Sequence, residues 1–223
     1  MTELSIHDFA RYVKDKTVAF VGMSPIIKGE GFGAEIDSFD IVYRTNMYPL
    51  AESLHEDYGS RCDIISYQKY YLHLAGQFYN HGVLIQVPHL SEKERSTFGY
   101  PFFYVSRSDR EAMAEKIKAA VGQNLLYPSS GLVAWFICAG CRRFKYFGVT
   151  GYQDLSKKVA NHSQVNHYIE EYKEIWGERK ANILSTKMEN YHVHNFEAQN
   201  MYLSMLLKSG DIEMDLISKQ YFT

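Results

Sequence analysis

The sequence predicts an α/β fold, with a mostly parallel sheet lying between helices. Three observations carry this. Residues 18–21 (VAFV) are continuously apolar and stop at Gly22, the pattern of a strand buried on both faces. A second apolar run, residues 39–43, ends in the polar cluster Arg44-Thr45-Asn46. Further short apolar runs alternate with stretches of helical period, such as 109–121, where Met113, Ile117, Ala120 and Val121 recur between charges. In open sheets of this kind ligands sit outside the carboxyl ends of the strands, so the first two strand ends point at one site.

Composition narrows the class. A chain of 223 residues is long enough for a full core and reads as one domain, 1–223, with no internal repeat or linker. A net charge of −2 provides no broad basic field, which argues against a nucleic-acid partner. No apolar run reaches 18 residues, so no transmembrane segment is expected. The N-terminal residues lack the apolar centre of a signal peptide. They read as an amphipathic helix with Ile6, Phe9, Ala10 and Val13 on one face. Cys62, Cys138 and Cys141 make an odd count, which together with the missing leader suggests a soluble, cytoplasmic protein. Cys138 and Cys141 form a CxxC pattern, open to redox or metal readings. The apolar run before them instead favours buried cysteines acting as small hydrophobes, and no second pair completes a zinc site.

The elements follow in order. After the first strand come Gly22, Gly29, Gly31 and Gly33, which let backbone N–H groups turn toward a phosphate. Their spacing is not the dinucleotide fingerprint, and Asp37 and Asp40 are misplaced for a ribose-binding acid. Residues 51–57 read as helix and 62–66 as strand. Residues 68–77 read as a helix carrying His73, 82–87 as a strand ended by Pro88, and 102–105 as a strand. Pro128-Ser129-Ser130-Gly131 opens an apolar helix, with Ser129 or Ser130 as its cap or as an anion-facing hydroxyl. A strand at 144–148 and a mobile polar loop at 151–166 follow. Asn166-His167-Tyr168 opens a helix at 169–176, and His192 to Glu197 precedes another at 195–207. His192 and His194 would face the same way in a strand, as a metal pair does, but no third ligand is evident.

These motifs together resemble glycosyltransferase family 29, the eukaryotic-type sialyltransferases. The stretch VAFVGMS, Lys28-Gly29 and GAEIDSFDIVYRTNMYP resembles the family's long sialylmotif. Residues 127–149 resemble the short motif, with Phe147-Gly148 in place of its Tyr-Gly. His167-Tyr168 resembles the third motif, and His192 with Glu197 resembles the very short motif. The resemblance implies a single Rossmann-like nucleotide-binding domain of modified GT-A type. It implies inverting transfer of sialic acid, or of a related 2-keto sugar acid such as Kdo, from a CMP donor to a glycan or glycolipid hydroxyl. No cofactor or metal is implied, and no DxD motif is present. His192 would be the general base, Glu197 its partner or a helix-start carboxylate, and His167 the group on the departing phosphate. Gly22, Ser24, Asn46, Tyr127, Ser129, Ser130, Gly131, Val149, Thr150 and Tyr168 would bind the donor.

Two departures stand out. Met23 replaces the family's Asn, which removes a hydrogen-bonding side chain at the donor. Cys141 matches one half of the family's disulfide, but Val18 stands where its partner would be. The first departure keeps a non-catalytic CMP- or glycan-binding relative in view. An unrelated enzyme using NAD or S-adenosylmethionine is a third reading, against which the late glycines argue.

Overall fold

The structure, a computed structural model, describes residues 3–22, 24–45, 52–66, 84–88, 91, 93, 102–151, 153–154, 159–160 and 195–223. Its centre is a parallel sheet flanked by helices. The strands are β1 (Glu3–Leu4), β2 (Thr17–Val21), β3 (Ile41–Thr45), β4 (Ile64–Ser66), β5 (Leu84–Pro88), β6 (Phe102–Val105), β7 (Arg143–Phe147) and, after the short pair β8 (Gln153–Asp154) and β9 (Val159–Ala160), β10 (Glu213–Met214). The order across the sheet is β1-β6-β5-β4-β3-β2-β7-β10. Every pairing in it is parallel.

Both faces of the sheet are covered, which is why residues 18–21 are apolar without alternation. Val18 and Phe20 face one core, shared with helices α1 (Ile6–Val13), α4 (Arg107–Val121), α5 (Ser130–Ile137) and α6 (Phe196–Ser209). Ala19 and Val21 face the other, built with Ile27, α2 (Gly33–Asp37), Leu54 and Tyr58 of α3 (His55–Tyr58). A last short helix, α7 (Leu216–Lys219), closes the described chain.

Local chemistry sets the element boundaries. Ser106 caps α4 and Asp109 reciprocates, its carboxylate accepting the Ser106 N–H at 2.9 Å. The helix therefore begins at Arg107, ahead of the expected 109. On α1, Phe9 and Val13 are buried as the period predicts, whereas Ala10 is exposed. The expected helix at 51–57 is a 3₁₀ turn followed by α3. The expected polar loop at 151–166 contains the antiparallel pair of β8 and β9 in its described part. The expected helices at 68–77 and 169–176, with His73, lie outside the described residues.

The loop after β2 is held to α3 by a carboxylate at the end of α2. Asp37 accepts the Ser60 N–H at 2.7 Å, the Ser60 hydroxyl at 2.8 Å and the Arg61 N–H at 3.0 Å. Burial alone would raise its pKa. The three hydrogen bonds and the nearby Arg44 charge outweigh burial and lower it. A carboxyl with a lowered folded pKa stabilises the fold above its ordinary range near about 4, and that contribution is lost as pH falls. Unfolding midpoints in urea should therefore drop between about pH 5 and 2, and drop less steeply in Asp37→Asn. Equal slopes for the two proteins would remove Asp37 from the acid response.

Candidate functional site

The chain winds outward from β2 in two directions: through β3, β4, β5 and β6 on one side, and to β7 on the other. The junction of β2 and β7 is thus a topological switch point, where the loops leave the sheet in opposite directions and open a crevice. Val21 pairs with Phe147 at the strand ends, and the Gly22 N–H donates to the Phe147 carbonyl at 2.7 Å. A Cβ on Gly22 would lie 2.4 Å from the Gly148 oxygen, so the close approach requires glycine there.

A cleft of about 120 Å³ opens at this point. Gly22, Ser24 and Thr45 form one wall, residues 148–151 the floor, and the starts of α5 and α6 the other wall. Of the expected site residues, the structure brings Gly22, Ser24, Ser129, Ser130, Gly131, Val149 and Thr150 together here. Tyr127 does not line the cleft and instead lies beside Arg107 and Arg110 of α4. Glu197 is exposed in the first turn of α6, where a carboxylate complements the helix dipole, and it is not part of the lining. Asn46, His167, Tyr168 and His192, with Met23 and His194, lie outside the described residues.

Two expectations are corrected. Ser129 occupies the cap position of α5, with φ −62° and ψ 162°, but its side chain makes no capping hydrogen bond. The Ser129 N–H donates instead to Gln199 Oε1 of α6 at 2.7 Å, and the first turn of α5 faces the cleft without a side-chain cap. The later glycines also do not cradle the cleft. Gly29 and Gly31 take positive φ in turns, the Gly31 N–H donates to Asp57 at 2.9 Å, and Gly33 packs against the backbone of His55. Arg44 likewise turns away from the strand end. It is buried and donates to the carbonyls of Arg61 and Tyr58, each at 2.7 Å.

The electrostatics of the cleft are those of an anion site built without charge. No charged side chain among the described residues lines it. Ser24 Oγ, Thr45 Oγ1 and Gln199 Nε2 are buried there with no hydrogen-bond partner among the described residues. Ser24 and Gln199 are only 6% and 2% exposed. Buried polar groups are normally paired, so three unpaired ones around one helix N-terminus mark a ligand-facing surface. Cys138 and Cys141 are free and stand apart from this cleft, and burial pushes both thiols up, as expected of packing groups.

Sequence reading missed the residues of α6 and the C-terminal clamp. Phe196, Gln199, Asn200 and Leu203 line the cleft at helical spacing, and two amides within an apolar stripe were the available signal. Asp215, 1% exposed, accepts the Gly148 N–H at 2.9 Å and caps α7 through the N–H groups of Ile217 and Ser218. Its carboxylate also accepts the Ser218 hydroxyl, which in turn accepts the Val149 N–H at 2.9 Å. The C-terminal residues thereby hold the cleft floor. Asp215→Ala leaves the buried Gly148 N–H without an acceptor and should cost about 1–3 kcal/mol in urea unfolding. A loss below about 0.5 kcal/mol, the size of an ordinary surface change, would contradict the clamp.

A sequence model of glycosyltransferase family 29 (sialyltransferase) matches residues 10–72, which include β2, the loop after it and β3. No curated protein matches the chain by sequence. Solved structures are similar in fold. One is a mammalian sialyltransferase, with TM-score 0.56 and 16% identity, covering 96% of this chain and 79% of that one. Another is a mammalian sialyltransferase in complex with Gal-beta-1-3GalNAc-ortho-nitrophenol, with TM-score 0.54 and 18% identity, covering 92% of this chain and 71% of that one. The family's sequence pattern thus covers the switch-point strands β2 and β3, and across most of the chain the fold is similar to that of the two mammalian sialyltransferase structures.

Proposed function

We propose that this protein transfers sialic acid, or a related 2-keto sugar acid such as Kdo, from its CMP donor to a hydroxyl of a glycan or glycolipid, with inversion. The observation that carries the reading is the cleft at the switch point, where the uncapped first turn of α5 meets the unpartnered Ser24, Thr45 and Gln199. Such a turn offers N–H groups and a positive dipole end to a phosphate. On departure the CMP phosphate gains negative charge, and preorganised donors lower the barrier at that step. The cleft is lined by donors and helix ends, which supports a leaving group stabilised without a metal or cofactor.

By family resemblance His192 takes the proton from the attacking hydroxyl, a task suited to a neutral imidazole near pH 7. His167 assists the departing phosphate by the same resemblance. Tyr168, Asn46, Tyr127, Val149 and Thr150 complete the donor site in this reading. The modified GT-A description is compatible with the sheet. Three free cysteines fit a reducing, cytoplasmic setting. Among the described residues no helix is long and apolar enough to cross a membrane.

The test is CMP release from CMP-sialic acid and, separately, CMP-Kdo, in EDTA, comparing the wild type with His192→Ala. Release that falls by about 10² or more in the variant supports the donor class and the base. Absence of release from either donor, with no CMP binding in calorimetry, overturns the proposal. Ser24→Ala probes the cleft separately. It removes a hydroxyl with no hydrogen-bond partner among the described residues, so the melting temperature should hold or rise while CMP binds about 5- to 10-fold more weakly. An unchanged CMP affinity would take Ser24 out of the site.

A further inference from the structure

The cleft wall formed by α6 carries one polar side chain whose orientation the backbone dictates. Gln199 is 2% exposed and lines the cleft on the same helix face as Phe196 and Leu203. The Ser129 N–H meets its amide at 2.7 Å. A backbone N–H only donates, so the atom it meets is the amide oxygen and the remaining atom is Nε2. Nε2 has no partner among the described residues. It is bonded to the same carbon as the oxygen that holds Ser129, so it stands beside the first turn of α5.

The helix that carries this amide is anchored on both sides of it. Asn195 caps α6 by accepting the Ala198 N–H at 3.0 Å, and its Nδ2 donates to the Asn124 carbonyl at 3.0 Å. Asn200 Nδ2 donates to the Gly151 carbonyl in the cleft floor at 2.9 Å. The Gln199 donor is therefore preorganised. An amide NH₂ only donates, and so do the N–H groups of Ser130 and Gly131 beside it. No carboxylate among the described residues lines the cleft. Donors that converge without an acceptor suit a ligand with several acceptor oxygens. The room for it is the cleft itself. Its volume of about 120 Å³ is roughly ten times what one water needs, so an anion of phosphate size fits.

We infer that Gln199 is a phosphate-binding residue, whose Nε2 donates to the nucleotide phosphate seated at the start of α5. The inference rests on the donor reading above. It adds a side-chain donor from a part of the chain outside the motifs that carry the family resemblance, which end at Glu197. One amide thus does two jobs: its oxygen fixes the α5 start, and its nitrogen receives the ligand.

The experiment titrates CMP, cytidine and inorganic phosphate into the full chain, as wild type, Gln199→Glu and Gln199→Met. Glutamate keeps an oxygen for the Ser129 N–H and suits a helix start, so the melting temperature should hold, but it loses the donor. Methionine removes the donor without adding charge. Both variants should weaken CMP about 10-fold or more, the size of a hydrogen bond to a charged group, and cytidine less than about 2-fold. In the wild type the Gln199 side-chain amide signal should shift with CMP and with phosphate. Equal losses for CMP and cytidine mark a structural role and overturn the inference. So does a loss confined to Gln199→Glu, which is repulsion through space, and so does an amide signal that stays in place with CMP. A wild type that binds CMP no more tightly than cytidine also overturns it. If the wild type binds phosphate but not CMP, the donor reading fails, and the phosphate affinity of the variants decides the subsite: a fall supports it and no change overturns it. Binding of none of the three overturns both.

Discussion

The close approach of the loops leaving β2 and β7 is the constraint on which the site depends. Gly22 stands against the Gly148 carbonyl in space where no Cβ fits, and its N–H is committed to Phe147. The Ser24 N–H donates to Gly148 at 3.3 Å on the same side. The loop after β2 is therefore fixed by the β7 side as much as by its own strand. Parallel pairing sets the direction in which both strands end, and the reversal of winding between them opens the crevice. Glycine at this position serves packing first. The N–H groups available to an anion come from the start of α5.

Stability and binding are divided between two sets of polar groups. The first set is saturated. Asp215, Ser218, Asp37 and Arg44 each make several hydrogen bonds and lock loops in place. The second set is unsaturated. Ser24, Thr45 and Gln199 line the cleft with Oγ, Oγ1 and Nε2 buried and unpaired among the described residues. Leaving such groups unpaired costs folding free energy, so their concentration around one cleft is more readily explained by a ligand than by packing.

Much of the sheet was legible because a strand buried on both faces has an unmistakable composition. Residues 18–21 and 102–105 carry that signal, and the structure places strands there. The helix start at Ser129-Ser130-Gly131 was legible as a position but not in its hydrogen bonding, because the partner that replaces the cap is Gln199, 70 residues away. Asp215 was invisible for the same reason: its role is defined by Gly148, which no local pattern links to it. Of the polar cluster that ends β3, only Thr45 of the described residues reaches the cleft, because residues adjacent on a strand point to opposite faces and Arg44 serves the other layer. Gly29, Gly31 and Gly33 looked like phosphate ligands because glycines that permit positive φ or close backbone approach are indistinguishable in sequence from glycines that expose N–H groups.

The most direct test of the account is an amide-resolved NMR titration of the ¹⁵N-labelled protein with CMP. The account predicts the largest shifts at Ser130, Gly131, Val149 and Thr150, with the Gln199 side-chain amide moving in step and the CxxC segment at 138–141 still. Binding that shifts residues remote from the β2–β7 junction and leaves these amides in place would contradict it.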